Sequence, residues 1–144
     1  MRIFLDANVC LDLFDTSRHN AKTTVAWYMH HKDNSANEFY FSGDFITTIY
    51  YVLTEKKKLP AQQVIEAINQ LSKEVVPVYL KHQDFLLAQR SFFNTDFKDF
   101  EDLIVLHSAL RAGCETLITN DQSILKRKTF EGMKIVRPES PRTE

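Results

Sequence analysis

Glycine and proline are scarce, with three and four residues in a chain of 144. Disordered and loop-built chains are rich in both, so this scarcity excludes those classes and points to long helices. Cysteine is nearly absent as well. Cys10 and Cys114 lie in separate apolar segments without CxxC spacing, which excludes a disulfide framework and fits buried thiols in a reducing compartment, by default the cytoplasm. None of the five histidines pairs with another His or a Cys at metal-ligand spacing along a helix, so a zinc site has little support and a metal would need oxygen ligands. Long apolar runs are missing too: Asp6 and Asp12 interrupt the first apolar stretch, and no segment offers about eighteen uncharged apolar residues. Neither a signal peptide nor a membrane span is expected. Finally, eighteen Lys and Arg against nineteen Asp and Glu leave a net charge of −1, far from the basic field that drives nonspecific binding to nucleic acid. Any such contact must be local.

What is present is core material. Hydrophobic residues make up 44% of the chain and charged residues 26%, with eleven Phe, five Tyr and one Trp supplying bulk. These values suit one globular domain, placed at residues 1–137, with PESPRTE at 138–144 as a flexible tail. The opening stretch MRIFLDANVCLDLF reads as a strand (residues 2–5), a turn at Asp6, and the first turns of a helix. Further strands are expected at 39–42, 75–79, 116–119 and 134–137, and Pro77 marks the third as an edge, since proline cannot donate to a ladder. Between them lie helical patterns at 21–31, 45–58, about 60–73, 82–93, 101–112 and 124–128; in the one at 60–73, Val64, Ile65, Ile68 and Leu71 form an apolar stripe. Gly113 closes the long helix pattern that feeds the fourth strand as a C-terminal cap. Strands alternating with helices at these intervals predict a three-layer α/β/α fold around a parallel sheet of about five strands.

That topology draws distant acids together. Asp6 ends the first strand, Asp102 begins the helix over EDLIVLHSAL, and Asp121 lies two residues beyond the TLIT strand. In an open parallel sheet ligands bind beyond the carboxyl ends of the strands. Carboxylates gathered there repel one another unless protons or a cation compensate. Mg²⁺ or a similar hard cation takes oxygen ligands while keeping several waters, and it would support attack of water on a phosphoryl centre. Each acid has a structural reading beside this one: Asp6, Asp99 and either Thr119 or Asp121 are well placed to cap helices, with Asp102 third after Asp99 as in a capping box.

IFLDANVCLDLF resembles the first motif of PIN domains, a nuclease superfamily that includes VapC-type toxins of bacterial toxin–antitoxin pairs, and DFEDLIVLHSALRAGCETLITND resembles the third and fourth. The resemblance spans nearly the whole chain. It implies a PIN-like fold, Asp6, Asp102 and Asp121 as metal ligands and catalytic residues, and Asn8 in the small polar position of the first motif. It further implies Mg²⁺- or Mn²⁺-dependent cleavage of RNA, a homodimer, and restraint by a cognate antitoxin protein. The sequence departs from the family pattern where many relatives keep a Glu in the helix after the second strand, because SGDFITTIYYVL offers Thr48. Asp44, one helical turn earlier, is placed to replace that charge. Glu101 is a neighbour of Asp102 turned by about 100° on the helix.

Two further readings stay open. One is a catalytically weakened PIN-like module that binds RNA or protein, favoured by Thr48. The other is a haloacid-dehalogenase-type phosphatase, which also begins with Asp at the first strand end but needs a second Asp where this chain has Asn8. Among basic runs, Lys126-Arg127-Lys128 is a candidate RNA contact because it follows Asp121, whereas Lys56-Lys57-Lys58 reads as a solvated helix end. His107 reads as structural and Asp12 as an exposed residue of the first helix.

Overall fold

The computed structural model describes residues 1–141; residues 142–144 of the expected tail lie outside the described part, and 137–141 carry no regular secondary structure. Strand β1 (Arg2–Leu5) enters helix α1 (Ala7–Phe14) and α2 (Ala21–Lys32). Strand β2 (Glu38–Ser42) leads through a single 3-10 turn at Gly43–Phe45 into α3 (Ile46–Tyr51), whose last turn, Val52–Lys56, widens to a π-helix. Then follow α4 (Ala61–Glu74), β3 (Val75–Val78), α5 (His82–Asn94), α6 (Phe100–Arg111), β4 (Thr116–Ile118), α7 (Gln122–Leu125), β5 (Thr129–Phe130) and β6 (Met133–Val136).

The sheet order is β3-β2-β1-β4-β6-β5, parallel throughout except for β5. Five parallel strands match the expectation. The sixth, β5, is a two-residue antiparallel addition whose partner Met133 follows a tight turn, with Glu131 and Gly132 both at positive φ (47° and 88°). So short a strand is below the length at which residue alternation is legible. Pro77 sits on β3, the terminal strand of the sheet, as its missing N–H demands.

Alternation along β1 builds two cores. Ile3 and Leu5 pack with Val9, Trp27, Ile49, Val64 and Ile68 on one face, while Phe4 packs with Leu103, Leu106, Ile124 and Ile135 on the other. Strands buried on both faces are the mark of a parallel sheet between two helical layers. The apolar stripe of α4 is narrower than its sequence implies, because Ile65 is 57% exposed while Val64, Ile68 and Leu71 are buried. Asp12 also departs from expectation. It is 2% exposed and paired with Arg18, since α2 packs over the face of α1 that carries it.

Gly113 closes α6 as expected, at φ +80°, with its N–H donating to Leu110 O (2.9 Å) and that of Cys114 to Ala109 O (3.1 Å). The α5–α6 pair is locked by the fully buried Asp84, which receives Arg111 Nε (3.0 Å) and Nη2 (2.9 Å), while Nη2 also donates to Tyr79 O at 2.7 Å. Burial alone would raise the Asp84 carboxyl, but Arg111 and the Lys81 N–H hold it below its usual range. Removing one member of a buried pair strands the other charge, so Arg111→Ala is expected to cost about 3–5 kcal/mol, lowering Tm by on the order of 10 °C. Because the folded pKa of Asp84 is depressed, its contribution is present above the unfolded value of 3.8 and lost as pH falls through the folded value. Thermal melts of Asp84→Asn should therefore start lower than wild type but fall less steeply below about pH 5; an equally steep fall would remove Asp84 as the cause.

Candidate active site

The centre forms where β1 and β4 end side by side. Leu5 pairs with Ile118, and the Asp6 N–H donates to Ile118 O at 2.9 Å. This register places the residue after each strand beside its counterpart: Thr119 Oγ1 donates to Asp6 Oδ2 at 2.7 Å. Asn8 Nδ2 lies 3.2 Å from the same oxygen and 3.2 Å from Thr119 Oγ1, and Asn8 Oδ1 accepts from Asn120 N at 2.9 Å. The Asp121 N–H donates to Thr119 Oγ1 at 3.0 Å. One buried hydroxyl thus orients both acids, donating to the first through its proton and receiving the backbone of the second through a lone pair.

Capping and clustering hold together for these acids. Asp6 caps α1 through Ala7 N (2.8 Å), Asp121 caps α7 through Ser123 N (2.9 Å), and Asp99 caps α6 through Asp102 N (3.0 Å). Three helix N-termini therefore point their positive ends at one region, which offsets part of the repulsion among the carboxylates. The remainder is substantial. Burial, then Asp99, Asp6 and Asp121, push the Asp102 carboxyl up to about 7. Burial also raises Asp6, with Asp121 adding to it and Thr119, Ala7 and Asn8 opposing. The three acids found from the sequence share one electrostatic field.

They do not share one cavity. Asp6 and Asp102 line a cleft of about 230 Å³ with Asp44, Thr48 and Glu101, whereas Asp121 lines an adjoining one of about 330 Å³ with Asn8, Asp12, Arg18, Asn20 and Asn120. Among the described residues no three His, Cys, Asp or Glu side chains close into a metal-holding group. The donors are all oxygens on an open surface with a surplus of negative charge, a set that fits a hard cation keeping several of its own waters rather than a closed cage.

The supporting residues divide. Thr48 is exposed and lines the cleft, while Asp44 Oδ2 is partly occupied by Leu80 N at 2.8 Å. Glu101, although a helical step from Asp102, lines the same cleft, because that cleft wraps the first turn of α6. Of the basic run, Lys126 and Lys128 are exposed, but Arg127 pairs with Asp96 at 2.8 Å and lies 4.3 Å over the Phe97 ring. His107 is buried, 2.9 Å from Ser91 Oγ, in keeping with a structural role. Sequence reasoning missed Asp12, Arg18 and Asn120. Asp12 Oδ2 accepts from Thr24 Oγ1 (2.7 Å) and Asn120 Nδ2 (3.2 Å), and Oδ1 from Arg18 Nε (2.7 Å). An acid four residues after Asn8 on the same helix was the available signal.

The PIN-domain family model matches residues 2–123, a span holding all three acids. The chain belongs to the PIN-domain family. It is 34% identical over 125 residues to "Ribonuclease VapC1" of Aquifex aeolicus (strain VF5), covering 85% of this chain and 83% of the relative. As a PIN-domain fold it superposes on VapBC2 from Rickettsia felis, solved bound to a DNA fragment from their promoter, with a TM-score of 0.63 and 13% identity over 95% of this chain and 98% of that one. VapBC-1 from nontypeable Haemophilus influenzae gives 0.61 and 20% over the same shares. The phosphatase alternative falls away with this membership.

Mutual repulsion predicts that the centre is stabilised when one charge is removed. In EDTA at pH 8, Asp102→Asn should melt about 2–4 °C above wild type, the scale of 1 kcal/mol in a domain of this size. A lower melting temperature would mean that the Asp102 charge supports the fold.

Proposed function

We propose that this PIN-domain protein is a metal-dependent endoribonuclease that cleaves phosphodiester bonds in RNA, and that it is the toxin of a type II toxin–antitoxin pair. The observation that carries this reading is the shared field of Asp6 and Asp121 past the ends of β1 and β4 with Asp102 in the first turn of α6, in a chain 34% identical to a ribonuclease. Asp6, Asp102 and Asp121 would hold Mg²⁺ or Mn²⁺, with Asn8, Thr119 and Asp99 fixing their orientation. When bound, the cation supplies charge neutralisation for the phosphoryl oxygens and makes water a better nucleophile. The chain's own contribution is placement. Thr119 and Asn8 both donate to Asp6 Oδ2, and the Ala7 N–H engages Oδ1, so this carboxylate is locked before substrate arrives. Asp99 sets the first turn of α6 and with it Asp102.

The VapBC assemblies among the structural neighbours support an antitoxin protein as partner. Exposed Tyr51, Tyr79 and Phe93 support a homodimer, and two free buried cysteines support the cytoplasm as its compartment. Among the described residues no helix is long and apolar enough to cross a membrane.

The expected result is cleavage of single-stranded RNA that EDTA stops and Mg²⁺ or Mn²⁺ restores. Since losing a residue that merely orients a ligand costs about 10–100-fold, Asp6→Asn and Asp102→Asn should each reduce the rate by at least that much. Cleavage that persists in EDTA, or survives Asp6→Asn intact, would defeat the mechanism.

The weakened-module reading rests on Thr48. If the cleft is one acid short, Thr48→Glu should raise the rate, because it adds an oxygen ligand facing Asp6 and Asp102. Asp44→Asn and Glu101→Gln identify any substitute: a large loss in one of them names the residue that already fills the vacancy. No gain from Thr48→Glu together with no loss from either would leave the cleft without a fourth acid and the module reading in front.

A further inference from the structure

The acidic cleft poses a difficulty for a polyanionic substrate. Its lining carries Asp6, Asp44, Glu101 and Asp102 and no base. The adjoining cavity carries one, Arg18, alongside Asp121. Arg18 lies in the turn between α1 and α2, where nothing regular would hold a long side chain in one place. Asp12 holds it. That carboxylate is buried, is satisfied on its other oxygen by Thr24 and Asn120, and receives Arg18 through Nε at 2.7 Å. Nε is the inner nitrogen of the guanidinium, and the side chain remains 34% exposed. The outer fork is thus aimed by a pairing that does not consume it.

We infer that Arg18, oriented by Asp12, binds a backbone phosphate of the RNA next to the one being cleaved, in the cavity bounded by Asn20, Asn120 and Asp121. The inference rests on the ribonuclease reading and supplies a cation beside the acids in a chain whose net charge is −1. Guanidinium suits the task, since its outer nitrogens match two phosphate oxygens at once. Asn120 links the two halves of the network. Its side chain donates to Asp12 and its backbone to Asn8, which in turn donates to Asp6, so phosphate bound at Arg18 is held in register with the acids.

The test is anisotropy of a fluorescein-labelled single-stranded RNA oligonucleotide, titrated with the full chain in EDTA between about 50 and 200 mM KCl, the range over which phosphate contacts reveal themselves. The first variant is Asp12→Asn/Arg18→Gln, which removes both charges so that neither is stranded. It should bind about tenfold more weakly, with a plot of log affinity against log salt shallower by about 0.7, the loss of one phosphate contact to a single strand. A purely structural role for the pair would leave that slope unchanged. Arg18→Lys, which keeps the charge, should restore the slope. The second variant, Asn20→Asp, changes an exposed residue of the same cavity without touching the pair, and should weaken binding several-fold through repulsion even if the first fails to fold. Wild-type affinity and slope in the folded variants would overturn the inference alone. No binding by the wild-type chain at any salt in EDTA would likewise overturn the inference, while the ribonuclease reading stands or falls separately on cleavage restored by Mg²⁺ or Mn²⁺.

Discussion

The parallel pairing of β1 with β4 is the constraint on which the rest depends. Two strands more than a hundred residues apart in the chain end together, and the N–H of Asp6 completes their ladder on Ile118 O. Everything polar at the centre hangs from that junction. Thr119 reaches Asp6 because each is the first residue past its strand, and Asp121 follows because its backbone is tied to the same hydroxyl. A shift of one residue would turn Thr119 to the opposite face and present a core side chain to the acids.

Capping and acid chemistry are often weighed as rivals, but here they are the same arrangement. A helix N-terminus needs an acceptor, and a carboxylate at that place satisfies it with one oxygen while its charge is favoured by the helix dipole. Asp6, Asp99 and Asp121 all cap, and three helices therefore start around one point. The fold can concentrate acids there without a basic partner for each. Asp102 is the exception. It sits third in α6, is not a cap, and is pushed up to about 7 by its burial and by Asp99, Asp6 and Asp121.

Around the centre the molecule is tied by two ion pairs whose carboxylates are buried. Asp84–Arg111 fixes the second helical layer to the end of β3, and Asp12–Arg18 fixes the turn between α1 and α2. A buried pair is weak evidence for stability but strong evidence for a defined geometry, because each charge must stay with its partner. Both pairs border the site from opposite sides: Arg111 holds Tyr79 O next to Leu80, a lining residue of the acidic cleft, and Arg18 lines the second cavity.

Strands 2–5, 116–118 and 133–136, the edge position of Pro77 and the cap at Gly113 were legible in the sequence, because each is set by neighbours within a few residues. So were the positions of Asp6, Asp102 and Asp121 at the starts of helices, since each stands at an element boundary marked by a charge. Asp12 and Arg18 were not. An acid in the first helix reads as exposed until a second helix covers it, and nothing local says that α2 packs there. Ile65 failed the same way in reverse, with a helical stripe wider than the surface available to bury it. Glu101 joined Asp102 because the cleft bends around a helix start, a shape that residue spacing does not encode. The sequence determined which residues carry charge at the ends of which elements; only the tertiary structure decided which of those charges face one another, because register and packing act between segments that the chain brings together from far apart.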